Sequence, residues 1–203
     1  MTTPVPTAAT PANATETAPL PAAERRRFTV DELYIIDEAG IFDDERIELL
    51  DGEIFIMPPI GDPHADGTDR LGSDLIYRLY GRARVRVQGP VRLNDYSLPQ
   101  PDIAVLRLRD DYHRAAPTPA DVLLLIEVAD SSLESDREVK LPRYAAAGIL
   151  EVWIVNLRTR EVEAYDDPRD GAYQGRRVVG ANGSISPRAF PDVLLNVADF
   201  LLS

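Results

Sequence analysis

Two carboxylates stand where an ordinary strand would not put them. Asp102 follows Pro101 at the head of the apolar run IAVL, and Glu127 closes DVLLLIEV, the most continuously apolar stretch of the chain. An unpaired charge in such a strand costs several kcal/mol or is neutralised by a shift of its pKa. A divalent cation is one way out. Mg²⁺ takes oxygen ligands, typically one or two carboxylates with waters and a substrate phosphate. Two carboxylates on neighbouring strands, near one edge of a sheet, match that requirement and would set a cation against a substrate phosphate. The competing reading has Asp102 capping a turn and Glu127 paired with an arginine.

Other side chains bear on the same chemistry. Lys140 falls in the second turn of a helix expected after Ser135, from which it can reach back over the strand end. An ammonium beside a bound metal would orient the attacking water or stabilise phosphorane charge. Taken alone, Lys140 reads first as an i,i+4 partner of Asp136. Glu48 shares a strand face with Arg46 and Leu50, opposite Ile47 and Leu49, so it points either into a site or into solvent. His64, in GDPHADGTD, lies between Asp62 and Asp66. The run imitates the opening of a calcium loop, but Ser73 stands where a bidentate Glu is required, which excludes an EF-hand. The favoured reading of this run is a helix N-terminus whose carboxylates complement the dipole, with His64 at most at the edge of a site. Arg78, Arg82, Arg84, Arg86 and Arg92 occur with no acidic residue among them. They suit phosphate-backbone contacts, or a solvated edge that discourages strand pairing.

The elements that must position these groups are legible in outline. Thr29 and Glu32 form a capping box opening a helix through Leu33, Ile36 and Ala39 that stops at Gly40. Arg46 to Leu50 and Glu53 to Met57 flank Asp51-Gly52, a two-residue hairpin signal. A helix is expected over His64 to Tyr80, with Gly67 and Gly72 weakening its first half. Strands follow at Arg84 to Gln88, Val91 to Leu93 and Asp102 to Leu108. Asp121 to Val128 reads as a central strand buried on both faces. Ser135 and Glu138 form a second capping box, opening a helix that reaches Ala147 and Gly148, with Pro142 inside it as a kink. Strands at Leu150 to Asn156, Glu161 to Tyr165 and Tyr173 to Val179 precede a mixed end, Phe190 to Leu202. The strand–helix–strand unit from Asp121 to Asn156 should be a right-handed crossover with parallel strands. The fold class is α/β, a mixed sheet flanked by helices.

Composition narrows the class further. Of 203 residues 44% are hydrophobic, enough for one sizeable core. Residues 1–24 are rich in Thr, Ala and Pro and read as a disordered tail, leaving 25–203 as one domain. The chain has no cysteine, which excludes disulfides and thiolate metal sites and fits a cytoplasmic protein. No apolar run approaches the roughly 20 residues that span a membrane. The formal net charge of -12 opposes tight non-specific DNA binding, so a nuclease would need a local basic patch.

Several segments together resemble one family. PQPDIAVL (Pro99 to Leu106), LLIEVADSSLESDREVKLPRYAAAGILEVWIVN (Leu124 to Asn156), RIELLDGEIFIMPP (Arg46 to Pro59) and the following His64 are similar to the Uma2 family, formerly DUF820, of restriction-endonuclease-like proteins. The resemblance runs from about Phe28 to the C-terminus. It places the chain in the PD-(D/E)XK nuclease superfamily and implies a restriction-endonuclease-like fold, Mg²⁺ or Mn²⁺ as cofactor, DNA as substrate and phosphodiester hydrolysis. Asp102 matches the Asp of the PD element and Glu127 the acidic member of the second element. Ala129 stands where the simple motif has its lysine, and Lys140, on the following helix, is the matching residue. Val128 would offer its backbone carbonyl to the metal, and Glu48 matches the acid of the family's first hairpin. Arg82, Arg84, Arg86 and Arg92 are the candidate nucleic-acid contacts. Related nucleases often act as homodimers, and the acidic balance leaves room for a partner protein that supplies specificity. Hydrolysis of RNA, and a catalytically inactive interaction module on the same fold, are the alternatives.

Overall fold

Thr29 opens the folded chain as its pattern predicts. In the computed structural model, which describes residues 25–43 and 45–201, its hydroxyl accepts from the Glu32 amide at 3.2 Å and the Glu32 carboxylate accepts from the Thr29 amide at 3.0 Å. Helix α1 (Val30–Glu38) follows and ends before Gly40, at φ +73°. The 1–24 tail lies outside the described residues. Strands β1 (Arg46–Leu50) and β2 (Glu53–Met57) pair across Asp51 and Gly52, both left-handed at φ +51° and +83°, as the mirror-image turn of a tight hairpin requires. The Leu49 carbonyl accepts from the Leu98 amide at 2.7 Å, fixing the hairpin to the loop before the main sheet.

Among the described residues the main sheet has six strands in the order β3-β4-β5-β6-β7-β8. These are β3 (Arg84–Val87), β4 (Ile103–Leu106), β5 (Val122–Ala129), β6 (Glu151–Asn156), β7 (Glu161–Arg169) and β8 (Ala172–Gly180). β5 and β6 are parallel, as the crossover predicts, and the other pairs are antiparallel. Two short strands, β9 (Ser184–Ile185) and β10 (Leu195–Asn196), pair separately.

Each face of the sheet carries its own core. Helix α2 (Asp62–Arg78) packs Leu71 and Leu75 against Ile103, Val105, Leu124 and Ile126, with Phe190, Val193 and Phe200 completing the layer. Gly72 lets the helix sit close to the sheet there, where a Cβ would lie 3.0 Å from a Val87 methyl. On the opposite face Tyr144, Ile149 and Val152 pack with Ala104, Leu106 and Leu125. Burial on both faces explains the unbroken apolar runs of β4 and β5.

Three expectations need correction. Val91 to Leu93 forms no strand; Val91 and Leu93 are buried, but their amides bond to loop carbonyls of Pro99 and Ser97. The crossover helix starts earlier than its expected capping box, at α3 (Leu133–Ser135), so Ser135 and Glu138 lie inside it and cap nothing. It continues as a π turn (Asp136–Lys140) and then α4 (Leu141–Ala146). Pro142 produces this irregularity. It has no amide to donate, and its ring crowds the carbonyl one turn back. The wider π turn, in which the Leu141 amide reaches the Asp136 carbonyl, carries the helix past it. Finally, α2 begins at Asp62 instead of His64, because Pro63 is well placed in a first turn.

Candidate active site

The register of β4 on β5 does the first part of the work. Ile103 lies opposite Ile126. Continuing the ladder one residue puts Asp102 across from Glu127, and opposed residues of an antiparallel pair point to the same face. Asp102 is 6% exposed and held at both oxygens. Its Oδ2 accepts from the Val128 amide at 2.8 Å, and its Oδ1 lies 2.8 Å from Nε2 of His64. The bond to Asp102 raises the His64 pKa above the ordinary histidine value; burial opposes it, and the Asp102 charge adds to the rise.

Glu127 and Glu48 are each 2% exposed. Lys140 bridges them, donating from Nζ to Glu48 Oε1 at 3.0 Å and to Glu127 Oε2 at 3.3 Å. The second oxygen of Glu127 accepts from the Tyr144 hydroxyl at 2.6 Å. Glu48 Oε1 also accepts from the Gln100 amide at 3.1 Å, while its buried Oε2 has no partner among the described residues. An ion pair between Arg143 and Asp51, at 2.6 Å, ties the hairpin turn to α4 and so holds Glu48 over Lys140.

The electrostatics follow from four carboxylates, Glu48, Asp102, Glu127 and Asp136, gathered around one ammonium. Burial pushes Glu127 well above the usual carboxylate range; Lys140 works against this, and Asp136, Asp102 and Glu48 reinforce it. Burial likewise pushes Asp136 up to about 6. Burial alone would lower Lys140, but Glu127, Glu48 and Asp136 outweigh it and keep the ammonium charged.

The structure therefore brings Glu48, Asp102, Glu127, Lys140 and His64 together around the adjoining ends of β4 and β5, His64 included although a helix-terminus role was the favoured reading. Tyr144 and Gln100 belong to the same cluster and were not singled out from sequence; Asp136, read there only as a helix partner of Lys140, belongs to it too. A usable signal existed: Asp136, Lys140 and Tyr144 are spaced by four. A second was plainer still. The chain has twenty-one arginines and one lysine, and that lysine is Lys140.

The arginines do not join them as a free cationic face. Arg82 forms a two-pronged pair with Asp192 at 2.7 and 2.9 Å and stacks on Phe190. Arg92 is held by Asp31 at 2.9 Å and Asp95 at 3.0 Å. Arg86 donates to the Pro90 carbonyl, and Arg84 lies 4.0 Å from Asp110. Most of these acidic partners are remote in sequence, which is why the run looked unopposed.

Among the described residues no group of three or more His, Asp or Glu side chains is arranged as a metal cage. The donor chemistry nevertheless fits a hard divalent cation: the set is carboxylate oxygen, its negative charge exceeds the local positive charge, and Glu48 Oε2 is a buried acceptor without a donor.

The six-stranded mixed sheet flanked by helices is a restriction-endonuclease-like fold. The family comparison is more specific. A family model described as "Uma2: Putative restriction endonuclease" matches residues 30–198, and the chain belongs to that family. Among solved structures it is similar to one titled as a putative nuclease belonging to DUF820 from Anabaena variabilis, with a TM-score of 0.65 and 18% identity, covering 85% of this chain and 97% of that one. No curated protein matches.

Proposed function

We propose that this chain is a divalent-cation-dependent endonuclease that hydrolyses phosphodiester bonds of DNA. The observation that carries the reading is the Glu48–Lys140–Glu127 bridge beside Asp102, four charged side chains drawn from three parts of the fold into one buried cluster. Asp102 and Glu127, with the Val128 carbonyl and Glu48 as neighbours, would hold Mg²⁺ or Mn²⁺. When bound, the cation supplies Lewis-acid polarisation of the phosphate and a water of lowered pKa. Lys140 offers positive charge to the developing phosphorane. His64 and the Val128 amide keep Asp102 in one orientation, and Tyr144 does the same for Glu127. Arg84 and Arg86, on the edge strand β3, are the residues left to meet the phosphate backbone.

One observation favours a second reading, a non-catalytic interaction module. Arg82 and Arg92 are neutralised within the chain, and the net charge is -12. Two experiments decide. Calorimetric titration of Mn²⁺ should give saturable binding to wild type that is lost in Glu127→Gln. Nicking of supercoiled plasmid with Mn²⁺ should be lost in Asp102→Ala. Cleavage surviving in Asp102→Ala removes the site assignment. Metal binding without cleavage of DNA or RNA favours the module. Sedimentation with and without DNA tests the homodimer that two-strand cleavage would use.

A further inference from the structure

We propose that Lys140 is the internal counter-cation of this site, and that its ammonium and a divalent cation compete for Glu127. The inference rests on the cation-dependent reading above and adds to it a coupling within the chain. Lys140 is 6% exposed and has two anionic partners, Glu48 Oε1 at 3.0 Å and Glu127 Oε2 at 3.3 Å. The other oxygen of Glu127 is taken by Tyr144. A cation arriving at Glu127 therefore meets an oxygen already used by an ammonium that repels it. The longer contact is the one to yield. After it does, Lys140 keeps Glu48, and Asp136 stands four residues earlier on the same helix, itself 3% exposed. The freed ammonium proton also has an acceptor available, since Glu48 Oε2 is buried and unpartnered among the described residues.

The choice of residue supports this. Twenty-one of the twenty-two cationic side chains are arginine, and the exception is here. A guanidinium is a planar fork that locks two carboxylates together. An ammonium is a compact point charge on a flexible stem, able to release one acceptor while keeping another. Lys140 thus holds the carboxylates together and gives way at a single oxygen.

The sole lysine makes the test direct. Wild-type protein carrying carbon-13 at lysine Cε gives one lysine signal, which is followed while Mg²⁺ alone is added, alongside calorimetry of the same titration. The signal should move saturably, with a midpoint equal to the calorimetric Kd, and Lys140→Met should bind Mg²⁺ roughly tenfold or more tightly than wild type. Calorimetric binding that leaves the lysine signal in place overturns the competition, as does a Lys140→Met variant that binds no more tightly; either result leaves the cation site standing. Absence of Mg²⁺ binding in wild type and variant removes both. The spectroscopic arm uses unsubstituted protein, so it decides even where Lys140→Met does not fold.

Discussion

The hydroxyl of Tyr144 donates to Glu127 across 2.6 Å, and both groups are buried. Burial, then the negative charge of Glu127 and Glu48, pushes this phenol well above its ordinary range, so it remains a donor at any working pH. Tyr144→Phe keeps the packing and removes the donor. Losing one hydrogen bond to a buried carboxylate should cost about 1–3 kcal/mol. Urea unfolding measures it; an unchanged midpoint would mean that Lys140 alone orients Glu127.

Asp136 makes a prediction with a defined pH window. Its carboxyl is pushed up from 3.8 to about 6 by burial, so the folded state holds that proton more tightly than the unfolded state. The penalty is absent below pH 3.8 and grows as pH rises through 6, toward a ceiling of roughly 3 kcal/mol. Asp136→Asn can retain the bond from Ser132, at 2.7 Å in the wild type, and removes the charge. It should therefore stabilise the protein at pH 8 and be close to neutral at pH 4. Equal differences at both pH values would show that charge is not the cause.

His64 carries the opposite sign. Its pKa is raised by Asp102, so the stability it contributes is fully present below 6.5 and is lost as pH rises through the folded value. His64→Ala should cost more at pH 5.5 than at pH 9. Thermal melts of both proteins across that range decide it, and a pH-independent cost would mean that His64 acts by packing alone.

The hairpin that delivers Glu48 depends on Gly52. At φ +83° a side chain is strained, and a Cβ would fall 2.6 Å from Cβ of Arg27. Gly52→Ala should cost about 1–3 kcal/mol. Its effect on Mn²⁺ affinity should exceed that of an exposed substitution such as Gly180→Ala, where a Cβ meets open space. Equal affinities would show that the hairpin does not position Glu48.

Local rules of the chain were enough for much of this protein. The Thr29 capping box, the Asp51-Gly52 turn, the buried runs at Ile103 and Val122, and the parallel β5–β6 pair follow from interactions between residues close in sequence or from a period of apolar residues. The same rules marked Asp102 and Glu127, because a carboxylate inside an apolar run is locally anomalous. Tertiary structure alone decided which groups surround them. The 3.0 Å bond from Lys140 to Glu48 spans 92 residues, and the His64–Asp102 contact spans 38. Asp192, which neutralises Arg82, and Asp31, one of the two acids on Arg92, likewise come from distant segments. A charge is long-ranged and carries no periodicity, so a partner on a distant segment cannot be read from spacing. The partner is set by the register of β4 on β5, by the hairpin lying over α4, and by the π turn that Pro142 imposes, which brings Lys140 and Tyr144 onto one carboxylate.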